Sequence, residues 1–330
     1  MDYKRRIEKV KEYFLKKKLS GCLIIGRPNI FYLTGLDGIE GILFLSRKEV
    51  LFFTPSLYYQ QAIDTKKEIG VEKLKNLKKI LKEYKRIGFL DSEVSVSTIK
   101  RWEKKYSAYF HPLRDFIKEM RSVKDKEEIE LIKKSENIAK EIMRKVKEIL
   151  KEGMEEYEVV VEIKYLMGKN KVDEAFPTIV ASGINSAYPH HKPANKKIKK
   201  GEPVIVDLGV NFSGYKSDIT ETFFIGRIPC RWRKIMDKVK EVQRICIELV
   251  KEGVKAEEIY KKSIEIFKKD KLEKYFIHGL GHGVGIEVHE LPVIGGNSRD
   301  ILRKGMVFTI EPGIYLPGEG GVRMERMVYL

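Results

Sequence analysis

The stretch from Pro203 to Phe224 restricts this chain more than any other. Pro203-Val204-Ile205-Val206-Asp207-Leu208-Gly209 reads as a buried strand that carries one charge. Tyr215 to Phe224 alternates enough to be its partner, and Asn211-Phe212-Ser213-Gly214 between them has turn composition. A turn symmetric about Phe212 and Ser213 predicts that Asp207 and Asp218 face each other across a hairpin. Opposed residues have Cβ atoms about 4.5–5.5 Å apart, and like charges so placed destabilise a sheet. Such a pair requires a cation or a shared proton, and we read it as a cation site.

The same logic recurs near the end of the chain. Met306-Val307-Phe308-Thr309-Ile310-Glu311 reads as a strand, and Pro312 holds Glu311 extended. Pro317-Gly318-Glu319-Gly320-Gly321 is a turn, and folding about Gly318 returns Glu325 towards Glu311. One acid at a strand end is ordinarily solvated. Four acids, each predicted to face another, are not explained that way.

A length of 330 residues predicts two domains, which we place at 1–120 and 121–330. The first reads as a small α/β domain. It has a helix near 3–18, strands at 22–25, 41–45, 50–53 and 87–90, and helices near 74–84 and 95–105. Its lone His111 reads as a packing or surface residue. Ser122 is a candidate cap for a long helix carrying Ile132, Ala139, Ile142, Val146 and Ile149 on one face, ended by Gly153. A helix at 155–168, a strand at 174–180, the aspartate hairpin, helices near 231–251 and 256–269 and the last strands follow. No short repeat stands out, although helix, helix, strand and hairpin occur twice in this order.

Composition excludes several classes. There is no apolar run long enough to span a membrane, and the charged N-terminus does not read as a signal peptide. Cys22, Cys230 and Cys246 form no C-x-x-C pair and read as small core residues in a reducing cytoplasm. The formal charge of +17 raises nucleic-acid binding. Yet the lysines alternate with glutamates, and the densest run, Lys196 to Lys200, has no interleaved aromatics, so that reading is disfavoured.

Five of the six histidines lie in the second domain. His190 and His191 follow strand 174–180, and His278, His282 and His289 share one glycine-rich segment. The spacing of His278 and His282 matches a zinc-protease helix, but Gly279, Gly281, Gly283 and Gly285 oppose a helix. The segment reads instead as a loop or strand with one metal-binding histidine.

Taken together, Val206-Asp207-Leu208-Gly209 with Ser217-Asp218-Ile219-Thr220, the segment from His278 to Glu290, Glu311-Pro312-Gly313 and Gly321-Val322-Arg323-Met324-Glu325 resemble the pita-bread metallopeptidases. Within that family the chain is similar to the prolidase and aminopeptidase P branch, including Phe31-Tyr32-Leu33-Thr34-Gly35 in its first domain. The resemblance implies a fold of mixed class, α/β then α+β, with a creatinase-like N-terminal domain before a pita-bread catalytic domain. It implies two divalent metal ions held by Asp207, Asp218, His282, Glu311 and Glu325. Asp218 and Glu325 would bridge both ions, Asp207 would chelate one, and His282 and Glu311 would complete the other. Glu311 would also be the general base, with His190 and His289 catalytic and His278, His289 and Arg323 on the substrate side. Such hard ligands favour manganese or cobalt, with iron and zinc as alternatives. The implied substrate is a small peptide with an Xaa-Pro bond, and the implied assembly is a homodimer. A methionine-aminopeptidase-like enzyme, a metal-free creatinase-like hydrolase and a non-catalytic binding module are the alternatives. The chain departs from the family at Glu221, where arginine is common, and at Pro55-Ser56-Leu57-Tyr58, which lacks an arginine often found there. It also stops soon after Glu325, where relatives continue into a further strand and tail.

Overall fold

A computed structural model describes residues 1–65, 69–106 and 108–330, and the chain divides into units 1–121 and 122–330. In the first unit α1 (Tyr3–Lys16), β1 (Gly21–Ile24), α2 (Arg27–Thr34), β2 (Ile42–Ser46) and β3 (Val50–Thr54) come first. Then follow α3 (Tyr59–Thr65), β4 (Gly70–Lys73), α4 (Leu77–Leu81), β5 (Arg86–Leu90), α5 (Val96–Tyr106), β6 (Tyr109–Leu113) and α6 (Phe116–Ser122). The strands form one mixed sheet in the order β4-β3-β2-β1-β5-β6. β1 lies near its middle with all four residues buried, which explains its uninterrupted apolar sequence. Leu23, Phe44, Phe53, Ile87 and Phe110 form the core on one side. The sequence reading missed α2, α3, β4, β6 and α6, and His111 proves to lie on β6.

The second unit opens with α7 (Lys126–Ile149), α8 (Glu156–Lys169), β7 (Asp173–Glu174) and β8 (Ile179–Ser182). The predicted strand at 174–180 is thus two pieces, separated by a stretch containing Pro177, which has no N–H to offer a ladder. After β9 (Pro203–Leu208), β10 (Val210–Phe212), β11 (Tyr215–Lys216) and β12 (Ile219–Phe224) come α9 (Cys230–Glu248) and α10 (Ala256–Lys269). β13 (Gly281–Gly283), β14 (Glu290–Ile294), β15 (Val307–Ile310), β16 (Gly313–Leu316), β17 (Gly320–Arg323) and β18 (Arg326–Tyr329) complete it. Ser122 does not cap α7. Asp125 does, accepting from Glu128 N at 2.9 Å while Glu128 returns the bond to Asp125 N. Cys22 and Cys246 are buried as expected, but Cys230 is exposed at the first turn of α9.

This unit is built twice over. α7 and α8 pack on the sheet β12-β9-β8, and α9 and α10 pack beside the sheet β14-β13-β15-β18. The correspondence between α8 and α10 holds at an offset of 100 residues. Gly153 and Gly253 have φ of 88° and 86°, and Lys171 and Lys271 both have φ of 55°. Gly153 N donates to Ile198 O and Gly253 N to Leu302 O. Bridges Glu155–Lys197 and Lys255–Ile301 lie at matching places. Lys-Glu-Gly, at 151–153 and 251–253, survives as a sequence echo, and the sequence reading passed over it.

Candidate active site

The aspartate hairpin is real, but its register differs from expectation. The turn is Ser213-Gly214, with φ of 51° and 82°, the pair of positive values that a two-residue hairpin turn of this hand needs. Phe212 therefore pairs with Tyr215, and Asp207 pairs with Thr220 rather than Asp218. Asp218 lies two residues before Thr220, on the same face, as a diagonal neighbour of Asp207. It sits at the break between β11 and β12, where Ser217 N donates to Val210 O and Val210 N donates to Ser217 Oγ.

The glutamates are opposed directly. Ile310 pairs with Arg326 and Gly313 with Arg323 in one continuous register, which places Glu311 opposite Glu325. His282 comes from β13, pressed between β14 and β15. A Cβ on Gly281 would meet Thr309 O at 1.9 Å and one on Gly283 would meet Leu291 O at 2.1 Å. The glycines flanking His282 thus let three strands close around it.

These elements converge on one buried cluster. His282 Nε2 is 3.3 Å from Glu311 Oε1 and 3.6 Å from Asp218 Oδ2. Asp218, His282 and Glu325 each offer a ligand atom within 4.8 Å of the others. Arg323 Nη2 donates to Asp207 Oδ2 at 2.6 Å, and Thr220 Oγ1 donates to Glu325 Oε2 at 2.8 Å. Among the described residues Asp207 Oδ1, Asp218 Oδ1 and Glu325 Oε1 are buried with no hydrogen-bond partner. Orphaned buried acceptors are rare, because each carries its desolvation cost uncompensated. Three in one cluster, beside an imidazole, make a donor set fit for divalent cations.

The electrostatics agree. Burial, then the charges of Glu325 and Asp207, hold the Asp218 carboxyl well above its usual range. Burial and the charges of Glu311 and Asp207 push Glu325 up to about 8. Burial opposes charge on Glu311 and His282 too, but their contact prevails, taking Glu311 down to about 2 and His282 up to about 9. The cluster therefore separates into two ion pairs, Glu311 with His282 and Asp207 with Arg323, and two acids, Asp218 and Glu325, in which burial and neighbouring charge favour the protonated form.

A cavity of about 520 Å³ opens onto the cluster. His190 and His289 are exposed at its lining, and the His289 ring lies 4.1 Å from that of His282. His278 also lines it, but both its nitrogens are engaged, Nδ1 with Gly279 O at 2.6 Å and Nε2 with the Tyr315 hydroxyl at 2.9 Å. Arg323 donates to the Tyr315 hydroxyl at 2.9 Å and to Pro189 O at 3.3 Å, besides Asp207. Sequence reasoning missed Thr220, Tyr315 and the buried Glu156. Tyr315 looks like a core residue of an Ile-Tyr-Leu strand, and nothing local announces its role.

Comparison with known proteins places the chain. Residues 130–330 match the family model of metallopeptidase family M24, and residues 6–123 match that of the creatinase/prolidase N-terminal domain. A Xaa-Pro dipeptidase of Pyrococcus furiosus is 37% identical, the alignment covering 99% of this chain and 95% of that protein. The prolidase of Pyrococcus horikoshii OT3 superposes with a TM-score of 0.94 at 35% identity, covering 99% of this chain and 95% of that one. An X-Pro aminopeptidase of Thermotoga maritima MSB8 gives 0.90 at 31% identity, covering 98% and 95%. With a creatinase-type first domain, a duplicated second one and an acid cluster fit for divalent cations, the chain belongs to metallopeptidase family M24.

Proposed function

We propose that this chain hydrolyses peptide bonds that precede proline, with Asp207, Asp218, His282, Glu311 and Glu325 holding two divalent ions. The observation that carries the reading is the set of three orphaned carboxylate oxygens, on Asp207, Asp218 and Glu325, residues that all line the cavity. Ions bound there would supply a water of lowered pKa and would polarise a scissile carbonyl. Glu311, ionised by its contact with His282, is the residue that would accept a proton in the reaction. His190 and His289, exposed at the cavity, stand as donors to the developing oxyanion or to the leaving proline nitrogen. Arg323 holds Asp207 in place through its 2.6 Å bond, while Tyr315 links it to His278. Phe176, Pro177, Ile179, Pro189, Pro193 and Val288 give the cavity apolar walls suited to a proline ring.

Manganese or cobalt suits this oxygen-rich ligand set. A homodimer in the cytoplasm completes the reading; among the described residues no helix is long and apolar enough to cross a membrane. The test is hydrolysis of Ala-Pro and of a longer Xaa-Pro-Xaa peptide with manganese or cobalt supplied. Turnover of Ala-Pro alone identifies a dipeptidase, and turnover of the longer peptide identifies an aminopeptidase. Inertness towards both overturns the proposal.

A further inference from the structure

Glu156 is fully buried, yet it is neither near the acid cluster in sequence nor required by the fold it begins. It is the first residue of α8, and the matching residue of α10, in the same backbone arrangement, is Ala256. Glu156 N donates to Lys196 O as Ala256 N donates to Asp300 O, so the backbone is satisfied alike in both. A carboxylate at this place serves something that the first half has and the second lacks.

Its partners say what. Glu156 Oε1 accepts from Ser182 N at 2.7 Å, Ser182 Oγ at 2.8 Å and Asn185 Nδ2 at 3.0 Å. Oε2 accepts from Ala194 N at 3.0 Å and Asn185 Nδ2 at 3.2 Å, and lies 2.8 Å from His191 Nε2. A carboxylate only accepts, so His191 Nε2 bears the proton. All four partner residues belong to 182–194, the segment that carries His190. Glu156 grips it at both ends and at the residue after His190. The residue before, Pro189, accepts from Arg323 Nη1 at 3.3 Å. The His190 ring makes no such bond among the described residues, yet both of its chain neighbours are pinned, one to Glu156 and the other to the arginine that holds Asp207.

We propose that Glu156, with His191, is a positioning residue for the reaction, fixing the 182–194 loop so that His190 meets the substrate at the cavity. This rests on the role given to His190 above. The account predicts that Glu156→Ala, which copies the second half, lowers kcat about a hundredfold, the scale of a catalytic group displaced by about an ångström. KM changes less, and manganese content stays that of the wild type. In a His190→Ala background, adding Glu156→Ala costs no further kcat, because a residue acting through His190 has nothing left to position. Amides of 183–193 exchange hydrogen at least tenfold faster in Glu156→Ala than in the wild type. His191→Gln, whose amide can donate from the place of Nε2, keeps most activity, whereas His191→Leu does not. If Glu156→Ala fails to fold, His191→Leu alone and in the His190→Ala background carries the same comparison. Losses that multiply in the double variant, or unchanged kcat in Glu156→Ala, overturn the proposal. An inactive wild type would count against the substrate assignment instead, and unaltered exchange of 183–193 would then reject the positioning role by itself.

Discussion

Residues 126–224 and 230–330 build nearly the same frame twice, and the candidate active site lies in how they differ. Each half supplies a helix pair, a sheet and two acids on a hairpin. The first half contributes Asp207 and Asp218 as diagonal neighbours, the second Glu311 and Glu325 directly opposed, with His282 from the adjoining strand. The first half alone carries the Glu156 grip, and the second alone the glycine-flanked His282. Repeated apolar patterning makes the frame, and a few polar substitutions on it make the chemistry. Where the halves agree, substitutions should cost stability equally. Where they differ, the effects should fall on one half alone.

The largest expected difference is at Glu311. On the proposal, Glu311→Gln takes away the proton acceptor and a cation ligand together, and kcat should drop by about 10⁴, measured under saturating manganese. Retained turnover would mean that another carboxylate is the base. Next comes a direct exchange between halves. Ala256→Glu places a carboxylate in the hydrophobic core that holds Ala256, Ile259, Leu280 and Leu302, without the donors that Glu156 finds. Denaturant unfolding should show a loss of about 3–5 kcal/mol, the cost of an uncompensated buried charge. A neutral result would show that the second half also hides a partner for an acid. The smallest effect is the matched pair Gly153→Ala and Gly253→Ala. Both glycines have positive φ and open space where a methyl group would sit, so only backbone strain is felt. Each should cost about 1 kcal/mol, and unequal costs would break the equivalence of the two helix starts.

What could be read beforehand follows the range over which each signal acts. The acids of the cluster were legible because each hairpin gives them local context: an apolar strand, a turn and a return. Even so, the aspartate register was misjudged, because symmetry about Phe212-Ser213 was assumed where positive φ selects Ser213-Gly214. That choice moves the partner of Asp207 from Asp218 to Thr220 while leaving both acids on one face. The cap of α7 was placed at Ser122 because the reciprocal bonding of Asp125 and Glu128 was overlooked. Glu156 could not be found in this way. Its partners lie 26 to 38 residues downstream, and a glutamate at a helix start is ordinarily read as a dipole or capping residue. Arg323 and Asp207, 116 residues apart, are likewise joined only by the fold.

If this buried acid cluster holds two divalent ions, as proposed, manganese binding will depend steeply on pH. Glu325, pushed up to about 8, and His282, raised to about 9, hold protons near pH 6 that an incoming ion must displace. Uptake should therefore release protons, strengthen as pH rises from about 6 to about 8.5, and saturate at two ions per chain, with fewer in Asp218→Asn. A wild-type chain that stays folded at about pH 8.5 in excess manganese, yet binds none, would contradict the account.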